Sequence, residues 1–493
     1  MSKKVVVIGG GIGGLASASL LARDGFDVTL IEKNLNFGGR AMVWEKDGFK
    51  FDMGPSWYLM PDVFEKFFAE FGKKPSDFYT LKRLDPSYRI FFENKKVFDI
   101  SASLKKNVKL FDKLEREGGK KLIEYLDKSK YQYDVAMKRF VYINYGRISS
   151  YLKFLNPKLA FEAYKMKIFD SIQNYVDQHF SNETAKKILL YNIVFLGGTP
   201  KNTPALYAIM AHIDFNLGVW YPMGGIGKIV EALVELAKTH KVKICKSTPA
   251  LGFTFKDDKI VSVKTKNASV PCDLVVSNAD YAYTETVLLP REYQSYPKSY
   301  WNKRTIAPSA YIIYLGLNKK LSRLAHHNLF LVNDWMSHFD QIFENPSWPD
   351  RPSYYVCVPS KTDSTVAPSK GENMFILVPI AVGIKDTAEK RKEFFDKIIE
   401  DLERTTGEDV KKHILVKRIF AQSDFANVFN AYKGTSLGIS HTLFQSAFFR
   451  PSFRSRKLSN LFYVGQYTHP GIGMPMVLIS AQILHQEIVS EFK

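Results

Sequence analysis

The hydrophobic pattern of the first fifty-odd residues predicts a strand, a tight turn, a helix, a second strand and a hairpin. In chain order these elements cover residues 4–8, 9–14, 15–23, 27–32 and 41–53. Gly25 fits the end of the helix, and Asp47-Gly48 is a hairpin signal between two short strands. The order strand, glycine-rich turn, helix and strand is typical of a nucleotide-binding unit in a parallel sheet.

The rest of the chain divides into stretches of different pattern. Residues 60–215 are predicted to be mostly helical and are rich in lysine and aromatic residues. Residues 222–280 return to alternation, with a helix over 229–239 and short strands over 242–244, 251–255, 260–264 and 274–277. Residues 291–455 mix strands with a charged helix over 387–405. A strand over 461–464, a Gly/Pro loop and a helix from Pro475 end the chain.

Length and composition exclude several classes of protein. The 493 residues exceed one ordinary core of roughly 100–200 residues, so more than one packed region is expected. With 45% hydrophobic and 24% charged residues, the chain is globular rather than disordered or fibrous. The three cysteines, Cys245, Cys272 and Cys357, are far apart and form no CxxC, and the ten histidines show no ligand spacing. We therefore expect no disulfide framework, no metal site and a reducing compartment, and we interpret the adjacent pair His326-His327 as a solvated turn.

Positive charge raises the question of an anionic partner. The formal net charge is +19, and residues 120–167 carry eleven Lys and Arg against four Asp and Glu, interleaved with aromatic residues. This mixture suits an anionic bilayer surface, although a solvated lysine face over an aromatic core explains it equally well. The basic residues match no nucleic-acid motif, so no nucleic-acid partner is expected. With no signal-peptide pattern and no run of about 18 apolar residues, we predict a cytoplasmic protein that contacts the inner membrane face peripherally.

The strongest local motif is the glycine-rich turn. Gly9, Gly11 and Gly14 match GxGxxG between a predicted strand and helix, and Glu32 ends the next strand eighteen positions after Gly14. In this fingerprint, the first glycine permits the tight turn, the second lets a pyrophosphate approach, and the third lets helix and strand pack. The helix N-terminus supplies amide donors, and an acid such as Glu32 accepts the ribose hydroxyls of an adenosine. The fingerprint alone does not separate NAD from FAD.

Further segments carry a resemblance to a known family. The segments are Asn36-Phe37-Gly38-Gly39-Arg40, Phe51-Asp52-Met53-Gly54-Pro55-Ser56-Trp57, Asp273-Leu274-Val275-Val276-Ser277-Asn278-Ala279-Asp280, Leu461-Phe462-Tyr463-Val464-Gly465 and Thr468-His469-Pro470-Gly471-Ile472-Gly473-Met474-Pro475. Together they resemble the FAD-dependent flavoproteins, and within them the bacterial-type phytoene and carotenoid desaturases. One departure is Gln466, since members of the superfamily commonly have an acid there.

The resemblance implies FAD as cofactor and a set of residues that bind it. These are Gly9, Gly11, Ile12, Gly13, Gly14, Glu32, Lys33, Gly39, Arg40, Gly54, Pro55, Ala250, Gly465, Gln466, Gly473 and Met474. Arg40 can bind phosphate oxygens bidentately, and a helix that starts near Pro475 points its positive end at the flavin. His469 can orient cofactor or substrate, or serve as a structural hydrogen-bonding residue.

The same resemblance implies an α/β fold with a Rossmann-like FAD-binding domain, which combines a parallel sheet and an antiparallel meander, and an interleaved α+β substrate domain. We predict that residues 1–80, 215–290 and 455–493 form the FAD-binding domain and that residues 81–214 and 291–454 form the substrate-binding domain. A helical membrane-associating region is expected at about residues 120–180.

The expected reaction is desaturation of phytoene or a related carotenoid hydrocarbon. As the resemblance implies, hydride passes from an allylic C–H to flavin N5, and the resulting cation loses a neighbouring proton; no catalytic residue can be assigned. A second GxGxxG in strand–turn–helix context is lacking, so a quinone or dioxygen is the expected electron acceptor. The alternatives are a carotenoid isomerase or a retinol-saturase-like enzyme, an amine or porphyrinogen oxidase, and a non-enzymatic module that binds FAD or lipid.

Overall fold

The computed structural model describes residues 2–145, 167 and 169–493. Its strands are β1 Lys4–Ile8, β2 Asp27–Ile31, β3 Val43–Lys46, β4 Phe49–Asp52, β5 Leu81–Arg83, β6 Tyr88–Phe92, β7 Val97–Ile100, β8 Trp220–Pro222, β9 Lys243–Cys245, β10 Ala250–Lys256, β11 Lys259–Thr265, β12 Ser269–Pro271, β13 Leu274–Ser277, β14 Ser309–Leu317, β15 His327–Leu331, β16 Tyr354–Cys357, β17 Glu372–Ile380, β18 Ile414–Phe420 and β19 Leu461–Tyr463.

The described α-helices of five or more residues are α1 Ile12–Arg23, α2 Pro61–Ala69, α3 Leu104–Leu114, α4 Gly118–Arg139, α5 Ile172–Asp177, α6 Glu183–Leu190, α7 Gly227–Thr239, α8 Lys298–Asn302, α9 Trp335–Phe343, α10 Ala388–Thr406, α11 Gln422–Phe429 and α12 Met474–Phe492. Two shorter helical segments, Ile209–Ala211 and Tyr281–Tyr283, continue into π-helical turns, His212–Leu217 and Thr284–Leu288. In the part of the chain that the structure describes, no helix combines the length and the apolar character needed to cross a bilayer.

A five-stranded parallel sheet contains the N-terminal strand at its centre. Its order is β19-β13-β1-β2-β9, so strands from three distant parts of the chain lie side by side. The central strand is apolar at consecutive positions Val5, Val6 and Val7, all buried, because helices or other strands cover both faces of a parallel sheet. α1 packs against this sheet and against α7 and α12, which explains why ten of its residues are buried. The parallel sheet predicted from the sequence is confirmed.

The second large sheet is mixed and has seven strands. Its order is β18-β14-β17-β16-β15-β6-β7, and all neighbours are antiparallel except β15 and β6. A separate antiparallel meander consists of β10, β11 and β12, and β3 pairs with β4 in the predicted hairpin. The chain therefore has the α/β architecture with an antiparallel meander that the sequence led us to expect.

The prediction of a mostly helical stretch over residues 60–215 is wrong for residues 81–100. This segment contains β5, β6 and β7, and the last two join the seven-stranded sheet. Tyr88, Ile90 and Phe92 point to one buried face, with the period of two that a strand requires. The alternation is hard to see in the sequence because Phe91, on the opposite face, is also apolar and buried.

The strands of the parallel sheet lie within residues 1–80, 215–290 and 455–493, and those of the seven-stranded sheet lie outside them. The domain boundaries themselves stay a prediction. The basic and aromatic stretch proposed for a membrane falls partly on residues 146–166 and 168, which lie outside the described residues. Within its described part, α4 packs its buried face against α3 and against the turn that follows Ala208.

Candidate active site

The glycine-rich turn connects β1 to α1 through contacts that no larger residue permits. A Cβ on Gly14 would lie 1.9 Å from the carbonyl oxygen of Gly9, so the helix can approach the strand only with glycine there. Gly9 has φ +97°, which L side chains rarely adopt. A Cβ on Gly11 or Gly13 would instead meet the side chain of Asn278, at 2.8 and 2.6 Å. The roles predicted for the first and third glycines of the fingerprint are therefore visible in the packing.

Glu32 is held in place by main-chain donors. The residue is only 5% exposed, and its Oε2 accepts from Gly10 N at 2.7 Å while Oε1 accepts from Asn34 N at 2.7 Å. Burial raises the pKa of this carboxyl, and the two amide donors oppose that rise. Lys33, next to it, donates from Nζ to the Asn427 carbonyl at 2.8 Å and to Asn430 Oδ1 at 3.0 Å. Glu32 is thus a fixed acceptor at the end of β2, while the Lys33 ammonium is bound to the end of α11.

Arg40 lies in the same region with part of its hydrogen-bonding capacity unused. Its Nη2 donates to the Thr435 carbonyl at 3.3 Å and lies 4.0 Å from Asp280 Oδ2, whereas its buried Nε has no partner among the described residues. When the Gln466 amide is oriented with its oxygen towards the guanidinium, that oxygen accepts from Nη1 and Nη2 at 3.3 and 3.2 Å. Burial lowers the pKa of Arg40, and Asp280 opposes this effect. A partly buried guanidinium whose Nε is buried and unpaired suits an anionic oxygen.

Glycines bring the segment of Arg40 and the segment after β4 against the turn. Gly38 N donates to the Gly10 carbonyl at 2.8 Å, and a Cβ on Gly39 would lie 3.3 Å from Gly11 Cα. A Cβ on Gly54 would lie 2.3 Å from the Arg40 carbonyl oxygen, so the segment of Gly54 and Pro55 lies directly against the Arg40 backbone.

The C-terminal loop reaches the same place from the other end of the chain. Gly465 N donates to Ser480 Oγ of α12 at 3.1 Å, and a Cβ on Gly465 would lie 3.1 Å from Asn278 Oδ1. α12 begins at Met474 with Pro475 in its first turn, as predicted, and Gly473 precedes it with φ +114°. Asn278 therefore lies between the N-terminal turn and the C-terminal loop.

A cavity of about 830 Å³ joins these segments. Fifteen of the sixteen predicted cofactor residues line it; Gly14 does not, because it packs against Gly9. Ala250, at the start of β10, is among the lining residues. The rest of the wall is mainly apolar and aromatic and continues into the seven-stranded sheet through residues such as Ile312, Leu329 and Leu377.

Sequence reasoning missed Arg450, which holds the C-terminal loop. This fully buried guanidinium donates to the carbonyl oxygens of Gln466 at 2.6 Å, Gln445 at 3.0 Å, Thr468 at 3.2 Å and Tyr467 at 3.3 Å. Burial lowers its pKa to about 10. Its partners are main-chain atoms, which carry no sequence signal.

The histidines differ in part from the sequence-based interpretation. The prediction of a solvated turn at His326-His327 is wrong, because both side chains are buried. A hydrogen bond joins His326 Nδ1 to Thr362 Oγ1, and another joins His327 Nδ1 to Tyr355 Oη. Packing of β15 against β16 and Trp57 covers them. His469 lines the cavity, its Nε2 contacts the Val141 carbonyl at 2.9 Å, and burial lowers its pKa to about 3.

The arrangement fits FAD. A fixed carboxylate lies at one end, and an open helix N-terminus lies beside glycines that leave no Cβ in the way. The partly buried guanidinium of Arg40, with its unpaired Nε, lies close by. A second helix N-terminus, that of α12, borders the same cavity.

Comparison with known proteins agrees with this fit. A family model described as flavin containing amine oxidoreductase matches residues 12–487. A carotenoid 3,4-desaturase of Haloarcula japonica is 43% identical over 99% of this chain and 98% of its own length. A zeta-carotene-forming phytoene desaturase of Myxococcus xanthus is 30% identical over 99% of this chain and 94% of its own. A putrescine oxidase structure superimposes with a TM-score of 0.64 at 13% identity, and covers both chains fully.

The chain therefore belongs to the flavin-containing amine oxidoreductase family. It is an FAD-dependent oxidoreductase, as predicted from the glycine-rich turn and the C-terminal loop.

Proposed function

We propose that this protein desaturates a carotenoid hydrocarbon, phytoene or a near relative, with FAD as oxidant. The observation that carries the proposal is the 43% identity, over nearly the whole of both chains, to a protein described as a carotenoid 3,4-desaturase. The bound FAD supplies the acceptor for a hydride from an allylic C–H. Amino-acid side chains cannot provide such a hydride acceptor. The protein's part is to hold the cofactor, bind the polyene, exclude water and accept a proton.

The cavity suits a substrate without polar groups. A polyene offers no charge or hydrogen bond, so its affinity must come from buried apolar area, at about 25 cal/mol per Å². Ile312, Leu329, Leu331, Phe339 and Leu377 line the part of the cavity that lies against the seven-stranded sheet. A long hydrocarbon in contact with such a wall is desolvated along its length.

We propose that the fifteen cavity-lining residues of the sequence-based set hold FAD in four groups, while Gly14 allows the turn to pack. Glu32 and Lys33 lie at the adenosine end, and Ala250 lies beside them on β10. The turn from Gly9 to Gly14 provides amide donors to the diphosphate, with Gly39 and Arg40 opposite. Gly54 and Pro55 line the path to the flavin. Gly465, Gln466, Gly473 and Met474 are proposed to contact the ribityl chain and the ring, where the positive end of α12 favours the reduced, anionic flavin.

Pigment profiling tests the proposed reaction. The gene is expressed in hosts that accumulate phytoene or a later acyclic carotenoid. The products are separated, and their molecular masses are measured by mass spectrometry. Products that lack two hydrogens for each step support the proposal. Unchanged substrate in every host, with flavin bound to the purified protein, contradicts it; products of unchanged mass but altered geometry indicate an isomerase instead.

We also propose that the protein takes its substrate from a lipid bilayer through an aromatic patch beside the cavity. Phe444, Phe448 and Phe449 are 68%, 42% and 40% exposed, and their rings contact each other at centroid distances of 5.5 and 4.3 Å. Ala447 and Phe448 line the cavity as well. Exposed phenylalanines at a cavity rim are suited to insertion among acyl chains.

Vesicle flotation tests this patch. Changing the three phenylalanines to serine should reduce co-flotation with anionic vesicles, whereas changing Leu415, which is 62% exposed on β18, should not. Equal flotation of both variants and the unmodified protein would contradict the patch as the contact surface.

For the oxidative half of the cycle we propose a quinone or dioxygen as the electron acceptor. Anaerobic turnover with an added quinone would distinguish the two.

A further inference from the structure

A buried carboxyl group lies one side chain away from the cavity. Asp214 belongs to the π-helical turn His212–Leu217, a type of local irregularity that is frequent at functional sites. Its Oδ2 accepts from Tyr88 Oη at 2.7 Å and from Tyr191 Oη at 3.0 Å. Its Oδ1 is buried and has no hydrogen-bond partner among the described residues.

The groups around Asp214 make it the proton acceptor of this cluster. Burial raises its pKa to about 7, and the hydrogen bonds from the two tyrosines oppose that rise. Among the described residues, the titratable groups that face it are Tyr88 on β6 and Tyr191 on the 3-10 segment after α6. On its own turn, His212 contacts Asn216 and Tyr133 instead. Burial holds the pKa of both tyrosines well above the usual value, so the phenols stay protonated.

Tyr191 connects this carboxyl group to the cavity. Tyr191 lines the cavity, whereas Tyr88 and Asp214 do not. The ring of Trp57, which follows the predicted flavin-side residues Gly54 and Pro55, lies 6.3 Å from that of Tyr191. A phenol with its proton directed at a carboxylate oxygen can accept a second proton on its oxygen while passing the first one on.

We propose that Tyr191 and Asp214 accept the proton that desaturation releases. The inference rests on the proposed function, in which a hydride leaves an allylic carbon for the bound FAD. The C–H bond on the neighbouring carbon then breaks, and its electron pair forms the new C=C bond. The proton binds Tyr191 Oη, and the phenol's own proton moves to Asp214 Oδ2. The cation is neutralised, Asp214 becomes a neutral acid, and the tyrosine is unchanged.

Rapid anaerobic flavin reduction by a carotenoid hydrocarbon tests the proposal in the flavin-loaded, full-length protein. Asp214→Asn removes the acceptor without changing its shape, and Tyr191→Phe removes the connection; each should slow flavin bleaching by about 100-fold, within the range of general acid–base catalysis. Tyr88→Phe is the matched control, since it removes the other phenol from the same oxygen but not from the cavity wall. It should keep the limiting rate and move the pH midpoint upwards.

The pH profile and an infrared titration separate this role from a structural one. In the unmodified protein the bleaching rate should rise as Asp214 ionises, through about pH 7, and the rise should be absent in Asp214→Asn. Without substrate, the carbonyl band of a protonated carboxyl should disappear over the same pH range and be missing in Asp214→Asn. Thermal midpoints and flavin content show whether each variant is folded.

The outcomes distinguish the two proposals. If the unmodified protein is not bleached by any carotenoid hydrocarbon, the proposed function fails and the proton acceptor with it. If it is bleached, and folded Asp214→Asn and Tyr191→Phe variants react at the same rate with the same pH profile, the proton acceptor alone is refuted. Equal slowing by Tyr88→Phe and Tyr191→Phe would also refute it, because loss of a structural hydrogen bond would then explain both.

Discussion

The change of Glu32 to glutamine tests whether this carboxylate forms part of the proposed adenosine site. Both carboxylate oxygens accept a main-chain N–H at 2.7 Å, from Gly10 and from Asn34. Glutamine has the same shape but only one acceptor oxygen. Its NH₂ group must therefore face one of these two amides, donor against donor, inside a buried pocket.

The size of the effect follows from that geometry. A hydrogen bond to a charged group contributes about 1.5–3 kcal/mol, and an unsatisfied buried donor costs about 1–3 kcal/mol. The burial that raises the pKa of Glu32 shows that keeping its charge is itself unfavourable, and glutamine removes this cost. We therefore expect a net loss of about 1–2 kcal/mol in the free energy of unfolding without FAD. Loss of the proposed ribose contact should weaken FAD binding by about tenfold or more, since each tenfold corresponds to 1.4 kcal/mol.

Glu285→Gln is the matched control. Glu285 is also buried, accepts from Tyr296 N at 2.7 Å and from the Tyr463 hydroxyl, and does not line the cavity. Flavin fluorescence quenching on apo-protein gives the Kd for FAD, and urea unfolding gives the stability. We expect both variants to lose stability and only Glu32→Gln to lose FAD affinity. A Kd within twofold of the unmodified protein, or an equal loss in both variants, would refute the role of Glu32.

Three further changes test the packing around the cavity. Gly14→Ala places a Cβ 1.9 Å from the Gly9 carbonyl oxygen, so the purified protein should lack flavin and unfold at lower temperature; a yellow protein of unchanged thermal midpoint would contradict this. In Arg450→Lys, the lysine cannot bond to all of the carbonyl partners of the arginine, so we expect faster FAD release and a thermal midpoint lowered by several degrees. The control is Arg454→Lys, at a more exposed ion pair with Glu491, which should behave like the unmodified protein. Asp52→Ala removes the acceptor for Ile226 N and Gly227 N, at 2.8 and 2.9 Å, and should cost about 1 kcal/mol in urea unfolding through loss of the α7 cap; no change would contradict this.

The elements whose chemistry depends on local sequence were predictable. The turn from Gly9 to Gly14 needs glycine at fixed spacing, so the amino-acid pattern alone locates the strand, the turn, the helix and the terminal acid. Helix α1 begins at Ile12 rather than Leu15 as predicted, since Gly13 and Gly14 join the helix when the strand packs against it. The start of α12 and the hairpin of β3 and β4 were found for similar local reasons.

Contacts between distant residues could not be predicted. Arg450 binds main-chain carbonyl groups, and Asp214 accepts a hydrogen bond from Tyr88, which is 126 positions away. Neither contact therefore produces a recognisable pattern in the sequence around these residues. His326 and His327 resemble a polar turn in sequence, but β16 and Trp57 cover them. The strand β6 was missed because Phe91 is buried on the opposite face from Tyr88 and Ile90, so the segment lacks a plain apolar–polar alternation. The strand β7 was missed because Ile100 alone among its residues is buried.

We propose that FAD in this cavity takes two electrons from a hydrocarbon polyene. The most direct measurement mixes the flavin-loaded protein with phytoene or a later acyclic carotenoid in vesicles, without oxygen or any other acceptor, and follows the flavin spectrum and the polyene mass. We expect the oxidised flavin band to disappear and one equivalent of polyene to lose two hydrogens. A flavin that stays oxidised with each of these substrates, or that is reduced while the polyene keeps its mass, would contradict it.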